Sequence, residues 1–216
     1  MAEELIITAY NSHLLSSLSP TLEVLEILSC GYNNLISLPL GLKILRCSYN
    51  NLTSLPSLPP GLKILICNGN NLTSLPDLPS GLKYLDCSND NLTSLPDLPS
   101  TLTHLDCSND NLTSLPNLPS TLTHLYCGGN NLTSLPDLPP GLTHLYCGYN
   151  NLPDWYNNSS IKEIREQQIQ EKLLLLRKKI ATRIIQRTWT KYWYYPDENG
   201  ISRYSNYMSR VDMNYA

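Results

Sequence analysis

Residues 61–80 read GLKILICNGNNLTSLPDLPS, and residues 81–100 follow with the closely related GLKYLDCSNDNLTSLPDLPS. The same unit recurs along most of the chain at this constant interval. Two helices with their connections do not fit in a unit of this length, so the repeat is not a helical pair. The LPxLP element removes backbone donors and keeps the residues before each proline away from the α region. The repeat therefore predicts one short β-strand per turn with an extended return, stacked as a solenoid.

The strand of this repeat contains the segment ILIC. Alternation along it sends Leu65 and Cys67 to one side and Ile64 and Ile66 to the other. One repeat buries too little apolar surface to offset the entropy of ordering its residues, so only the array is stable. We expect the repeated cysteines to be free thiols that act as small apolar side chains in the core. They are Cys47, Cys67, Cys87, Cys107, Cys127 and Cys147.

A polar residue follows each of these cysteines by three positions, where the chain leaves the strand. A carboxamide there can both donate to and accept from backbone groups of the turn. The asparagines at this position are Asn50, Asn70, Asn130 and Asn150. Asp90 and Asp110 replace asparagine in two turns, and an ionised carboxylate only accepts. We therefore expect those two turns to be less well satisfied.

The segment LPDLPSGLKYLDCSNDNLTSLP, residues 75–96, resembles the short-period class of leucine-rich repeats. Such repeats are best known from bacterial effectors of the YopM and IpaH groups, and similar units occur in giant viruses of amoebae. The resemblance covers about residues 22–152. It implies an α/β leucine-rich-repeat solenoid, a horseshoe of parallel strands with an extended convex side. One departure is that cysteine stands where those effectors usually carry Val, Ala or Leu.

The organisation along the chain follows from the repeat and from charge. The boundaries are 1–21 for an N-terminal cap, 22–152 for the repeats, 153–160 for a linker, 161–195 for a basic amphipathic helix and 196–216 for a flexible Tyr-rich tail. Residues 1–152 hold four basic and eleven acidic side chains, a net charge of −7, whereas residues 153–216 hold eleven and seven, a net charge of +4. Because the interval from Cys30 to Cys47 is three positions shorter than that from Cys47 to Cys67, the first turn is expected to be irregular.

Two columns of side chains are expected to line the concave face of the horseshoe. Exposed Tyr and Ile side chains on a rigid sheet suit a protein ligand, so this face is predicted to bind a protein partner. The columns begin with Ile27 and Ile44 and with Ser29 and Arg46. The residues predicted to bind are Ile64, Ile66, Tyr84, Asp86, His104, Asp106, His124, Tyr126, His144 and Tyr146.

The histidine column also raises the question of a metal site. His104, His124 and Asp106 could converge on zinc. Duplication of nearly identical repeats is the favoured explanation of the column, and we predict neither a metal nor another cofactor. The sequence contains no Gly-rich phosphate loop and no nucleophile with a base at a recognised spacing, which indicates a non-enzymatic protein without a small-molecule substrate.

The C-terminal helix offers a second binding element. Ser160 and Glu163 form a capping box, and the segment ATRIIQRTWTKYWY, residues 181–194, looks like a degenerate IQ motif that retains Ile185 and Gln186. Anchors at the 1-5-10-14 spacing favour a calmodulin-like partner that takes a helix in a groove. The anchors are Leu176, Ile180, Ile185 and Trp189.

Other roles for this helix remain open at the level of sequence. It can cap the end of the solenoid. Its basic face can also contact a membrane surface or nucleic acid, but a membrane and nucleic acid are less favoured partners than a protein. Residues 1–20 lack a secretory signal, and no stretch is long and apolar enough to span a membrane. We therefore expect a cytoplasmic protein, located in the host cytoplasm if the chain is viral.

Overall fold

The computed structural model describes residues 3–7, 18–27 and 35–194, which form one parallel β-sheet followed by a helix. The eight strands pair in chain order. They are β1 (Glu4–Ile7), β2 (Val24–Ile27), β3 (Ile44–Arg46), β4 (Ile64–Ile66), β5 (Tyr84–Asp86), β6 (His104–Asp106), β7 (His124–Tyr126) and β8 (His144–Tyr146). A 3-10 helix (Asp154–Asn158) and helix α1 (Ile161–Tyr194) follow. The predicted class, a parallel-strand solenoid with a long C-terminal helix, is confirmed.

The sheet begins earlier than the repeat motif predicts. Strand β1 lies within the segment assigned to an N-terminal cap, and Leu5 pairs with Leu25 at the same offset at which Leu25 pairs with Leu45. Ile27 therefore takes the core position that Cys47 takes in the next turn, and it is only 3% exposed. The assignment of Ile27 to an outward column was wrong. It aligned Cys30 with Cys47, which placed Ile27 opposite Ile44. Val24 and Glu26 occupy the outward positions of β2, while Ser29 and Cys30 lie outside the described residues.

The core is a column of strand leucines beside the column of cysteines. In β4 the middle residue Leu65 is fully buried, as is Cys67 just after the strand, while Ile64 and Ile66 are half-buried. All six repeated cysteines are buried and free. Burial raises the pKa of the Cys47 thiol to about 12 and raises the pKa of Cys107 well above its ordinary value. Such thiols stay protonated and pack as small apolar groups.

Hydrogen bonds between turns continue past the strands. The amide of Cys67 donates to the carbonyl of Asp86 at 2.8 Å, and the amide of Gly69 donates to the carbonyl of Ser88 at 2.9 Å. The turn after the strand requires a left-handed backbone, with φ of 69° at Gly69 and 53° at Tyr49. Glycine and asparagine adopt this conformation more readily than tyrosine does. A turn with tyrosine at this position therefore carries local strain.

The asparagine column ties each turn to the one before it. Nδ2 of Asn70 donates to the carbonyl of Cys67 at 2.7 Å and to that of Cys47 at 3.0 Å. Its Oδ1 accepts from the amide of Leu52 at 3.1 Å. Three backbone groups that the turn leaves without strand partners are thus satisfied by one buried side chain.

The two aspartates in this column satisfy only part of the same pattern. Oδ1 of Asp90 accepts from the amide of Leu72 at 2.9 Å, and Oδ1 of Asp110 accepts from the amide of Leu92 at 3.1 Å. Oδ2 of each carboxylate is buried without a hydrogen-bond partner. Burial raises the pKa of Asp90 to about 6 and that of Asp110 to about 7, although the amide hydrogen bonds act in the opposite direction. The predicted deficit at these two turns is confirmed.

Helix α1 begins with the predicted capping box. Oε2 of Glu163 accepts from the amide of Ser160 at 2.7 Å, and the amide of Glu163 donates to Oγ of Ser160 at 3.3 Å. Its first turns pack on the last repeat, where Ile164 is buried and Arg165 donates to the carbonyls of Pro139 and Leu142. The described residues up to Arg165 form one compact unit, and those from Glu166 to Tyr194 belong to a second. Within the described ranges, no helix is long and apolar enough to cross a membrane.

Candidate functional site

The first and third residues of each strand form one surface, which we call the open face of the sheet. The middle residue of the strand is buried, so its two neighbours are directed outward by the alternation of the backbone. The unbroken register places Tyr84 beside His104 and Asp86 beside Asp106. Register thus converts the repeat into two straight columns of outward side chains.

The predicted binding residues come together on this open face. On β4 the outward residues are aliphatic, and from β5 to β8 they are tyrosine, histidine and aspartate. The members are Ile64, Ile66, Tyr84, Asp86, His104, Asp106, His124, Tyr126, His144 and Tyr146. The members on strands β4 to β7 are half-buried, whereas the two on β8 are exposed. Tyr146, for example, has 47% of its surface accessible.

The three histidines form a continuous stack. The ring centroids of His104 and His124 are 4.1 Å apart with an interplanar angle of 14°, and those of His124 and His144 are 4.1 Å apart at 7°. Tyr84 extends the stack at 5.5 Å from His104. Desolvation lowers the pKa of His124, and its two imidazole neighbours lower it further. The central ring therefore favours the neutral form.

Each of these histidines is held by the threonine that precedes it. Nδ1 of His124 lies 2.9 Å from Oγ1 of Thr123, and the same distance separates the corresponding atoms in the turns before and after. Oγ1 of Thr123 in turn donates to the carbonyl of Thr103 at 3.0 Å. The sequence reasoning missed these threonines, although the recurring dipeptide Thr-His at β6 to β8 is visible in the sequence.

Asp86 and Asp106 are the acidic residues of the open face on strands β5 to β8. Oδ1 of Asp86 accepts from the amide of Ser88 at 3.2 Å and from its hydroxyl at 2.8 Å. Oδ1 of Asp106 accepts from the amide of Ser108 at 3.0 Å. Burial raises the pKa of Asp86, the Ser88 hydrogen bonds lower it, and Asp106 raises it slightly. One oxygen of each carboxylate is therefore held by the turn that follows its strand.

The tyrosine end of the open face depends on a glycine that sequence reasoning also missed. A Cβ at Gly128 would overlap the ring of Tyr146, so only glycine lets that ring lie across the preceding turn. The ring of Tyr126 is 6.5 Å from that of His124. The four preceding turns carry Ser or Asn at the position of Gly128, namely Ser48, Asn68, Ser88 and Ser108, and the change to glycine occurs where the column changes to tyrosine. Gly128 therefore helps to set the surface of β7 and β8.

The histidines and acidic residues do not form a recognisable metal centre. In the part of the chain that the structure describes, no group of three or more His, Cys, Asp or Glu side chains is placed to hold a metal ion. Parallel imidazoles in a stack direct their lone pairs side by side and do not converge on a tetrahedral ion. The arrangement instead presents a row of separate polar groups.

The residues predicted to bind through the helix lie on α1, in the second compact unit. Their apolar side chains are largely accessible, with Leu176 53% exposed, Ile180 49%, Ile185 57% and Trp189 61%. Gln186 is exposed as well. The IQ pattern expects a final basic residue at position 195, where this chain has tyrosine, and Tyr195 lies outside the described residues.

Comparison with known proteins identifies the fold family. No protein-family model and no curated protein matches the sequence. The solved structure of YopM from Yersinia enterocolitica WA-314 is similar over 63% of this chain, with 36% identity and a TM-score of 0.52. The structure of a Shigella effector leucine-rich-repeat domain is similar over 61% of it, with 30% identity and a TM-score of 0.52.

The extent of these similarities differs between the two structures. This chain covers 35% of the length of YopM and 70% of that of the Shigella domain. The similarity thus concerns the repeat array, whose strands, buried leucines and constant register are described above. The chain belongs to the leucine-rich-repeat proteins with short, effector-like repeats.

Proposed function

We propose that this chain is a non-catalytic interaction module that binds a protein partner on the open face of strands β4 to β8. The observation that carries the proposal is the set of aromatic, imidazole and carboxylate side chains held in two register-locked columns. A rigid surface of this kind loses little entropy when it binds. Tyrosines on such a surface supply large contact area together with a polar end.

The proposal is tested with full-length protein as bait in extracts of the native cell. The variant Tyr126→Ala/Tyr146→Ala removes two aromatic groups from the open face, and we expect it to lose a captured partner, since such residues often contribute about 2 kcal/mol or more each. Tyr149→Ala is the matched control, because Tyr149 is 85% exposed but lies in the turn after β8. Equal capture by both variants would remove the open face as the binding surface.

A second candidate function is supported by the exposure of apolar side chains along α1. Leu176, Ile180, Ile185 and Trp189 are each at least 49% exposed. A calmodulin-like protein that encloses a helix would bury these anchors amid their basic neighbours. Binding of full-length protein to immobilised calmodulin, with and without calcium, tests this function. The variant Ile185→Asp/Trp189→Ala is expected to abolish it, whereas Thr182→Ala is the control; a wild-type chain that does not bind would exclude the function.

A further inference from the structure

The hydroxyl group of the threonine before each of the three histidines donates its hydrogen to a backbone carbonyl of the preceding turn. Oγ1 of Thr103 donates to the carbonyl of Lys83 at 2.9 Å, and Oγ1 of Thr143 donates to the carbonyl of Thr123 at 3.1 Å. A carbonyl oxygen only accepts, so the single hydroxyl hydrogen must point to it. The hydroxyl oxygen can therefore only accept from the neighbouring imidazole.

This hydrogen bond fixes the tautomer of the histidines. Because Oγ1 accepts, Nδ1 must carry the proton in the contacts of 2.9 Å at His104, His124 and His144. A neutral imidazole protonated at Nδ1 has an unprotonated Nε2, which accepts hydrogen bonds. Nε2 of these rings has no hydrogen bond within the described ranges 3–7, 18–27 and 35–194. Three acceptors thus stand in a row on the open face.

The surroundings of this row are acidic and aromatic. The eight outward residues of β5 to β8 include two aspartates and three tyrosines but no lysine or arginine. Oδ1 of Asp86 and Oδ1 of Asp106 are used by the following serines, which leaves Oδ2 of each available to a ligand. Among the cations nearby, Lys83 is exposed just before β5 begins, and Arg46 lies in β3, two strands away from β5.

We propose that the open face of β5 to β8 binds arginine side chains of an extended segment of a partner protein. The Nε2 atoms of the histidine row and the carboxylates of Asp86 and Asp106 would accept its N–H groups. This inference rests on the proposed function and specifies the chemistry of the partner. Its basis is charge complementarity together with an array of strand side chains that offers acceptors and no cationic donors.

Arginine fits this array better than lysine does. The guanidinium carries five N–H donors in one plane, so it can bond an imidazole and a carboxylate at the same time. It is also planar and weakly hydrated, and it stacks on aromatic rings such as those of Tyr84 and Tyr126. The ammonium group of lysine is a compact, strongly hydrated charge with no plane to stack.

Fluorescence anisotropy with labelled hexa-arginine and hexa-lysine peptides tests the inference on the full-length protein. We expect hexa-arginine to bind more tightly than hexa-lysine. Asp106→Asn and His124→Phe should each weaken hexa-arginine binding about tenfold, as expected for the loss of one hydrogen bond to a charged guanidinium. His124→Phe keeps a stacked ring and removes the acceptor. Asp97→Asn is the charge-matched control, since Asp97 is exposed in the return segment.

Two results would overturn the inference. Equal affinity for the two peptides with no response to Asp106→Asn would show adventitious attraction to an acidic protein. Nitrogen-15 NMR of the imidazoles near pH 8 gives an independent readout, because it distinguishes a protonated Nδ1 from a protonated Nε2. A spectrum with Nε2 protonated in all three rings would remove the acceptor row, whereas Thr123→Val is expected to relax the tautomer of His124 alone.

Failure of this inference is distinguishable from failure of the proposed function. If a captured partner is lost in Tyr126→Ala/Tyr146→Ala but hexa-arginine does not compete with it, the open face binds a protein of different chemistry. The arginine inference is then wrong and the proposed function stands. If capture does not respond to the tyrosine variant, the proposed function fails whatever the peptides do.

Discussion

Replacing Asp90 or Asp110 by asparagine is expected to stabilise the solenoid at and above pH 8. Oδ1 of each aspartate already makes the contact that Oδ1 of Asn70 makes, namely with the amide of a leucine in the preceding turn. Oδ2 therefore takes the place of the amide nitrogen, which in Asn70 donates to two cysteine carbonyls. A carboxylate oxygen cannot donate, and both Oδ2 atoms are buried without a partner.

The expected gain follows from the hydrogen bonds that asparagine restores. Two bonds of the kind made by Nδ2 of Asn70, at 2.7 and 3.0 Å, become possible in each variant. At about 1 kcal/mol each, the free energy of unfolding should rise by about 2 kcal/mol per substitution. Asp90 and Asp110 repel each other, so either change relieves the other site. The double variant should therefore gain less than the sum of the single variants.

The gain should depend on pH in a defined direction. Burial raises the pKa of Asp90 from 3.8 to about 6 and that of Asp110 from 3.8 to about 7. Between pH 4 and 7 the folded state thus binds more protons than the unfolded state, and the stability of the wild type falls as pH rises. At pH 4.5 both carboxyls are protonated in the folded state, and each carboxylic acid can itself donate one hydrogen bond. The difference between wild type and variant should then be below about 1 kcal/mol.

Urea denaturation followed by circular dichroism at pH 4.5 and pH 8 measures both effects. Asp97→Asn removes the same charge from an exposed position and is the control, for which we expect no more than a few tenths of a kcal/mol. An Asp110→Asn variant whose urea midpoint equals that of the wild type at pH 8 would refute the reasoning. So would a gain of the same size at both pH values, since the gain must become smaller once the buried carboxylate is protonated and donates one of the two hydrogen bonds itself.

Three further predictions concern single residues of the repeats. Asn70→Ala should lower the free energy of unfolding by about 3 kcal/mol in a urea titration, because it leaves three buried backbone groups unsatisfied. Asn71→Ala, at the adjacent exposed position, is the control and should be nearly neutral. Tyr149→Gly should raise the free energy of unfolding by about 1 kcal/mol, because Tyr149 has a left-handed φ of 55° that glycine adopts more easily. An unchanged urea midpoint would mean that this turn is not strained. In a Cys30→Ser background, a thiol reagent should label Cys147 before Cys107, because Cys107 is fully buried and its pKa is raised. Rapid labelling of Cys107 in the native protein would contradict this packing.

The repeat period and the alternation of side chains suffice to predict the central turns. Once a strand is placed at the segment ILIC, the burial of Leu65 and Cys67 and the outward direction of Ile64 and Ile66 follow from backbone geometry. The replacement of asparagine by aspartate likewise predicts a missing donor at positions 90 and 110, because the difference lies in the chemistry of the side chain. Local rules determine these features, so a single sequence reveals them.

The first strands are harder to predict because their signal is weaker. Strand β2 has Ile27 where later turns have cysteine, and Cys30 nearby offers a misleading alignment at a shorter spacing. The constant interval from Leu5 through Leu25 to Leu45 was the signal available. Burial of an apolar side chain decides the register, and isoleucine fills the core position as well as a thiol does.

The roles of the threonines and of Gly128 depend on contacts between neighbouring turns. Thr123 matters because its hydroxyl reaches both a backbone carbonyl one turn away and its own neighbour His124. Gly128 matters because the ring of Tyr146, from the next turn, lies over it. Neither relation follows from residue type alone. Both become visible only when the turns are stacked at their actual separation.

The distribution of differences among the repeats bears on function. From β2 to β8 the central strand position is always leucine and is followed two positions later by an apolar core residue, so the core hardly changes from turn to turn. The outward positions change from Ile and Arg to Tyr and Asp and then to His and Tyr. Packing does not require these changes, because the same backbone carries all of them in one register. Outside the buried Asn/Asp position, most of the variation in and just after the strands therefore lies on the open face, and the threonines and Gly128 change together with it.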